Sequence, residues 1–328
     1  SAMLRYNLDK NRNIRLSYRS STNLPSVDQL QDVLDNTNPL QLRVGNPNLK
    51  QAFQQNLFFR FQGSNPDKSS TFFGMAGGGF TNDYIANATY LGSSDNPIFQ
   101  QYDIPRGAQL TRPVNLDGYW NVRSFLSYGK PIKGLKTNIN LDLSYNYSRS
   151  PGLINEQLNY ANNNTFAVGL TFSSNISDRV DFTISARPSY NRVNNSLQTG
   201  SNTEYLSQNS RLKFNWIIIE GFVLRTDLTH TLYSGLSDGF NQNYWLWNLG
   251  IGKKIFKNER GEITLAINDL LKQNRNISRN ITETYIEDVQ SNALQQFVML
   301  SFTYNLRNFN SGKQATKSEE DRRGDWGP

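Results

Sequence analysis

At 328 residues the chain is long enough for one large β domain or two ordinary ones. Its 16 Tyr, 19 Phe and 5 Trp exclude a disordered polymer, which has little apolar surface to bury. The absence of cysteine excludes disulfide frameworks and thiolate metal sites, and the net charge of +7 is scattered over turns and strand ends rather than clustered, which argues against a nucleic-acid partner.

No stretch approaches the roughly 18 to 20 consecutive apolar residues of a membrane helix; runs such as Trp216 to Ile219 are far shorter. A membrane-spanning strand buries only alternate residues in lipid, so a mean hydropathy of −0.62 is compatible with a transmembrane barrel.

From the N-terminus, residues 1–3 read as a cloning scar, and no signal segment follows them. Leu4, Tyr6 and Leu8 alternate with polar residues, a polar turn occupies 9–13, and Ile14, Leu16 and Tyr18 resume the alternation. The chain therefore opens in mid-strand, which predicts a fragment of a larger barrel. Gly74-Met75-Ala76-Gly77-Gly78-Gly79-Phe80 lacks the Lys-Ser/Thr and the helix of a phosphate-binding loop, and reads as a glycine-rich strand that bends.

Alternation then recurs at Trp120, Val122, Leu126 and Tyr128, and most regularly over 138–148. There Ile139, Leu141, Leu143, Tyr145 and Tyr147 share one face, and Asn138, Asn140, Asp142, Ser144, Asn146 and Ser148 the other. It continues through Phe166 to Phe172, Val180 to Ala186, Leu212 to Ile218, Trp245 to Ile251 and Val298 to Leu306, giving about twelve strands. Connections alternate in length. Long polar ones are expected near 20–50, 91–115, 150–163, 192–208, 235–243 and 271–292, and short ones at 63–69, 129–136, 174–179, 220–221 and 257–261. This asymmetry fits an antiparallel up-and-down transmembrane β-barrel with short periplasmic turns and long extracellular loops. The barrel is assigned to 4–309, and the charged, aperiodic segment 310–328 to a disordered periplasmic tail.

Directly after Leu16-Ser17-Tyr18-Arg19 come Leu24-Pro25-Ser26, Gln29-Leu30, Asn38-Pro39-Leu40 and Gly45-Asn46-Pro47-Asn48-Leu49-Lys50. This order resembles the large first loop in the C-terminal half of the TonB-dependent-receptor-like outer membrane protein β-barrel family, and the resemblance covers about 1–310. It implies a barrel of roughly 22 strands of which this chain supplies the later half. It also implies a receptor in the Gram-negative outer membrane, in contact with lipid. Such a receptor binds an extracellular ligand at its long loops and imports it, with energy from a TonB-type inner-membrane complex and with a surface lipoprotein as a possible partner. The chain has no room for the plug domain of such receptors, so gating and transport are not assigned to it alone.

Site candidates are few, and no catalytic, cofactor or metal residue is assigned. His230 is the only histidine; Asp227 lies an odd number of residues away and so on the opposite face of the strand. His230 is expected in a lumenal or interfacial polar role. Trp245 and Trp247 beside Tyr244 suit a sugar-stacking platform or, by preference, an interfacial aromatic belt shared with Trp120, Trp216 and Tyr304. The triplets Asn146-Tyr147-Ser148 and Asn280-Ile281-Thr282 match a glycosylation acceptor by chance in an Asn-rich chain. The amide-rich segments 155–164 and 198–209 are expected as loops that either bind glycans, peptides or chelates or are merely solvated. The expected function is an uptake receptor rather than an enzyme. The alternatives are a structural or adhesive barrel, and an outer-membrane hydrolase if acids cluster around His230.

Overall fold

A computed structural model describes residues 1–91, 97–105, 107–174, 177, 179–218, 221–237, 239–256, 259–281 and 286–305. The expected tail at 310–328 lies outside them. In chain order the elements are β1 (Ala2–Asn7), β2 (Arg12–Asn23), α1 (Val27–Leu30), β3 (Gln41–Arg43), β4 (Ala52–Asn65), β5 (Ser70–Asn82), β6 (Tyr84–Leu91), α2 (Pro97–Gln101) and β7 (Gln109–Leu116). There follow β8 (Tyr119–Ile132), β9 (Thr137–Ile154), β10 (Gln157–Ser174), β11 (Val180–Asn195), β12 (Thr203–Ile217), β13 (Phe222–Ser234), β14 (Gln242–Ile255), β15 (Gly261–Asn268), β16 (Asn276–Ile281), β17 (Ile286–Ser291) and β18 (Phe297–Tyr304).

Thirteen strands, against the dozen expected, form one antiparallel wall in the order β1-β2-β4-β5-β8-β9-β10-β11-β12-β13-β14-β15-β18. Strands β3, β6 and β7 attach off this path to make a sixteen-stranded sheet, and β16 and β17 pair only with each other. The sheet is not closed: among the described residues β1 pairs only with β2, and β18 only with β15.

Register makes the period-2 pattern coherent across the wall. Leu126 faces Leu143 and Leu143 faces Val168, while Tyr128, Leu141, Leu170 and Ala186 form a parallel row. The resulting outward face is apolar and uncovered, with Leu300 72% exposed and Ile251 56% exposed. A face of this kind suits hydrocarbon rather than water. On β9 its apolar run from Ile139 to Tyr147 is nine residues long, within the span of about 9 to 11 residues that crosses a bilayer. Aromatic rings mark both margins. Phe80, Trp120, Tyr147, Tyr190 and Trp245 lie toward the long connections, and Tyr128, Phe182, Trp216, Phe222 and Tyr304 toward the short turns. The amphipathic Trp and Tyr rings among them prefer the headgroup level, so the two rows outline a membrane slab.

The glycine-rich strand is regular ladder along all of β5. Its glycines accommodate close neighbours: a Cβ on Gly77 would strike the Phe58 ring, and one on Gly78 would lie 2.5 Å from the Asn121 carbonyl.

Two expected loops are corrected to strand. The segment 150–163 is the upper end of β9 and β10, which turn tightly at Asn155 and Glu156, both with positive φ. The segment 192–208 shrinks to a connection at 196–202 between β11 and β12. The Asn side chains that read as solvated loop are satisfied within the wall. Tyr147 donates to Asn162 Oδ1 at 2.8 Å and Tyr145 to Asn164 Oδ1 at 3.0 Å, while Asn159 donates to Asn195 Oδ1 and accepts from the Leu197 N–H. Polar side chains that find partners along a ladder allow it to continue beyond the membrane.

The buried core lies on the long-connection side of the wall. There β3 runs parallel to β7, β7 pairs with β6, and Ala88 and Thr89 of β6 run parallel to Leu153 and Ile154 of β9. Leu42, Val44, Ala108 and Leu110, all 3% exposed or less, pack with Leu34, Tyr90, Ile98, Tyr102 and Ile104. Fully burying a side chain such as Leu110 stabilises by about 1.5 to 3 kcal/mol, so this cap is a folded unit rather than loose loop. The Gly-Asn-Pro motif anchors it. A Cβ on Gly45 would collide with the Gln31 carbonyl, to which the Gly45 N–H donates at 2.9 Å. Asn46 donates to the Pro113 carbonyl at 3.0 Å and accepts from the Asn48 N–H, and Lys50 and Asn115 exchange two hydrogen bonds.

Candidate functional site

Alternation that sends apolar side chains outward sends Asn, Ser, Thr and charged groups to the opposite, lumenal face. Toward β15 two ion pairs cross it. Arg211 of β12 forks onto Asp227 of β13, and Arg225 of β13 reaches Glu262 of β15, passing over β14. That crossing is possible because the intervening residue is Gly252, where a Cβ would sit 2.7 Å from Glu262 Oε1. Arg187 of β11 likewise donates to Ser144 of β9 at 3.3 Å, two strands away, above the small Ala167 of β10.

Three features stand at the upper end of this face. A cleft of about 550 Å³ opens in the cap, lined by Asp28, Gln29, Asp35, Arg43, Gln109 and Thr111 among others. The Thr37 hydroxyl and N–H both donate to Asp35 and hold its carboxyl below the usual carboxylate range. A second recess of about 380 Å³ on the wall is lined by Asn121, Arg123, Asn146, Ser148, Asn163 and Thr165. Finally, the β16–β17 hairpin is docked by a buried ion pair. Arg279 and Asp288, 5% and 3% exposed, meet at 2.6 Å, and Arg279 reaches Thr203 and Ser237 and lies over the Tyr205 ring. Thr203 and Tyr205 are lumenal residues at the top of β12, so the hairpin rests against the upper lumenal rim. Arg279, with further hydrogen bonds from Ser237, holds the Asp288 carboxyl below its ordinary range despite burial.

His230 lies on the outward face, directly opposite Trp245; their rings stack at 4.4 Å, and Asn243 Oδ1 lies 2.8 Å from Nε2. Asp227 lies on the other face, as the odd spacing requires, and is bound to Arg211. The contacts of His230 among the described residues are thus with an amide and an indole. Trp245 and Trp247 also point outward, Trp245 in the row near the long connections and Trp247 one outward position nearer the middle of the wall. Among the described residues no group of three or more His, Cys, Asp or Glu is placed to hold a metal. Thr282 lies outside the described residues, and the Asn146 side chain is lumenal.

The cap cleft was not legible beforehand because it joins residues from separate connections, and the Arg279–Asp288 pair because its burial needs the β16–β17 hairpin to dock against Thr203, Tyr205 and Ser237. The glycine at 252 was a usable signal, since a small residue inside a strand marks a close approach.

The profile of the outer membrane protein beta-barrel family matches residues 1–202 and, in a second overlapping match, 153–304. The chain belongs to that family. The wall described above is accordingly a portion of an outer-membrane barrel, with the outward face in lipid and the aromatic rows at its two surfaces. No curated protein matches the chain.

Proposed function

We propose that this wall belongs to an outer-membrane uptake receptor of the TonB-dependent type, which binds a solute from outside at the cap and passes it along the lumen. What supports the reading is a lumenal face that carries ion pairs and amide side chains, with the cap cleft, the wall recess and the docked hairpin at its upper end. On this reading edges β1 and β18 meet further strands, because unpaired backbone groups in hydrocarbon cost several kcal/mol each, giving a barrel of roughly 22 strands. An inner-membrane complex of the TonB type supplies energy, and a surface lipoprotein assists capture.

A structural or adhesive barrel is the second reading, favoured by the amides of 155–164 being engaged in internal hydrogen bonds. Cells producing the full-length protein, or lacking it, should be given fluorescent oligopeptides and oligosaccharides, neutral and anionic. Accumulation that needs the protein and stops when a protonophore collapses the proton gradient supports uptake. Surface binding without accumulation, indifferent to the protonophore, supports the adhesive barrel.

A further inference from the structure

Charge is distributed unequally over the lumenal face. Beyond β11 cations meet acids, as in Arg211–Asp227 and Arg225–Glu262. The first five strands of the wall, β1, β2, β4, β5 and β8, contain no Asp or Glu at all. Their lumenal faces carry Arg5, Arg15, Arg19, Arg60 and Arg123.

Three of these stand in one row. Arg5 of β1 is directly opposite Arg15 of β2, and Arg15 is directly opposite Arg60 of β4. Cβ atoms of directly opposed residues lie about 4.5 to 5.5 Å apart, and like charges there destabilise the sheet. On its own strands the row lies between outward-facing residues, Arg5 between Leu4 and Tyr6, Arg15 between Ile14 and Leu16 and Arg60 between Phe59 and Phe61, so it stands at the level of the apolar face, and its register continues through Met75 and Phe125 to Ser144. Among the described residues its side-chain hydrogen bonds go to neutral groups. Arg5 donates to Asn7 Oδ1 at 3.3 Å and Arg60 to Gln62 Oε1 at 3.0 Å, while Nε of Arg15 is buried with no hydrogen-bond partner among the described residues. Beside Arg60, whose guanidinium lies 4.8 Å from the centre of the Phe73 ring, opens a recess of about 350 Å³ lined also by Asn13, Gln62 and Ser127.

We infer that the Arg5–Arg15–Arg60 row binds an anionic solute, a polycarboxylate or polyphosphate, on its way along the lumen. A guanidinium fork matches the paired oxygens of carboxylate and phosphate, and such charge-assisted bonds are about twice as strong as neutral ones. Two interstrand steps separate the outer arginines by roughly 10 Å, which suits a molecule with two or more anionic groups rather than a monoanion. Phe73 and Phe125, with ring centres 5.9 Å apart, offer apolar contact beside the charges.

The inference rests on the uptake reading for the solute's path, but binding is measurable without transport, so the two can fail separately. The full-length protein in detergent is titrated with citrate and with pyrophosphate by calorimetry, and its thermal unfolding is followed with and without them. Both anions should bind and raise the midpoint by several degrees. Affinity should fall at least tenfold in Arg15→Gln/Arg60→Gln, and far less in Arg15→Lys/Arg60→Lys. Without anion the Gln variant should melt at the wild-type midpoint or above it, since repulsion is relieved. A Gln variant that melts lower and a wild type that ignores both anions would mean that an acidic segment of the protein itself covers the row. Equal binding by wild type and the Gln variant would put the anion elsewhere, and either result overturns the inference.

Discussion

Trp247 of β14 donates its indole N–H to the Thr226 hydroxyl of β13 at 2.7 Å, on the outward face between the two aromatic rows. Hydrocarbon has no acceptor to offer, so the indole depends on this hydroxyl. Thr226→Val should destabilise the barrel by about 1 to 3 kcal/mol, the penalty of an orphaned donor, whereas Thr226→Ser should retain most of the stability. The temperature at which the folded band disappears on unboiled gels measures this. An unchanged temperature in the valine variant would mean that the indole reaches water.

The tryptophans should report their own depth. Trp120 and Trp245 lie in the row near the long connections and Trp216 in the opposite row, while Trp247 lies one outward position further from the rim than Trp245. In proteins retaining a single tryptophan, bromines attached deep in the acyl chains should quench Trp247 most, and bromines near the headgroup should quench Trp245 most. Four tryptophans indifferent to brominated lipid would put this face in water.

Acid should release the β16–β17 hairpin. Because the folded Asp288 carboxyl titrates below its ordinary value, its contribution is fully present above about pH 4, the unfolded range, and is lost as pH falls through the lower folded value. Protection of the hairpin amides, as the ratio of intrinsic to observed exchange, should therefore be flat from neutrality down to that range and fall below it. Asp288→Asn should lower that protection throughout the range above about pH 4, since a buried arginine stripped of its partner costs about 3 to 5 kcal/mol. Strands of the wall such as β9 and β10 should keep their protection. Exchange that is equal in both proteins would show the hairpin to be held by something other than the Arg279–Asp288 pair.

Much of the wall was legible because its physical cause is local. A face of Ile139, Leu141, Leu143, Tyr145 and Tyr147 against Asn and Ser needs no knowledge of neighbours to read as one apolar and one polar side. The errors fell at 150–163 and 192–208, where composition and structure part company. Asn and Gln ordinarily mark loops, but here Asn162 and Asn164 accept from tyrosines two strand positions away on β9, and the ladder continues. Position 230 was legible to the extent that spacing decides its face, and not as to which face is outward. The cap was hidden altogether, because Leu42 and Leu110 become a core only once two connections 68 positions apart run side by side. The Gly45-Asn46 motif flagged that region without disclosing its role as an anchor.

The polar groups just above the outer aromatic row have one more consequence. Past Tyr147 stands Arg149, packed on the Tyr160 ring at 3.7 Å, and past Tyr190 stands Arg192, joined to Glu204. Sliding the wall inward would draw these cations toward hydrocarbon, where an arginine on a barrel's lipid face costs about 2 to 4 kcal/mol at the midplane. Sliding it outward would lift the leucines between the rows into water. With both displacements opposed, vertical position is pinned, and any thickness mismatch has to be absorbed by the lipid, which thins or thickens around the protein at a modest cost per ångström. The nine-residue apolar run of β9 is in that sense a gauge: the surrounding bilayer takes its local thickness from the strand.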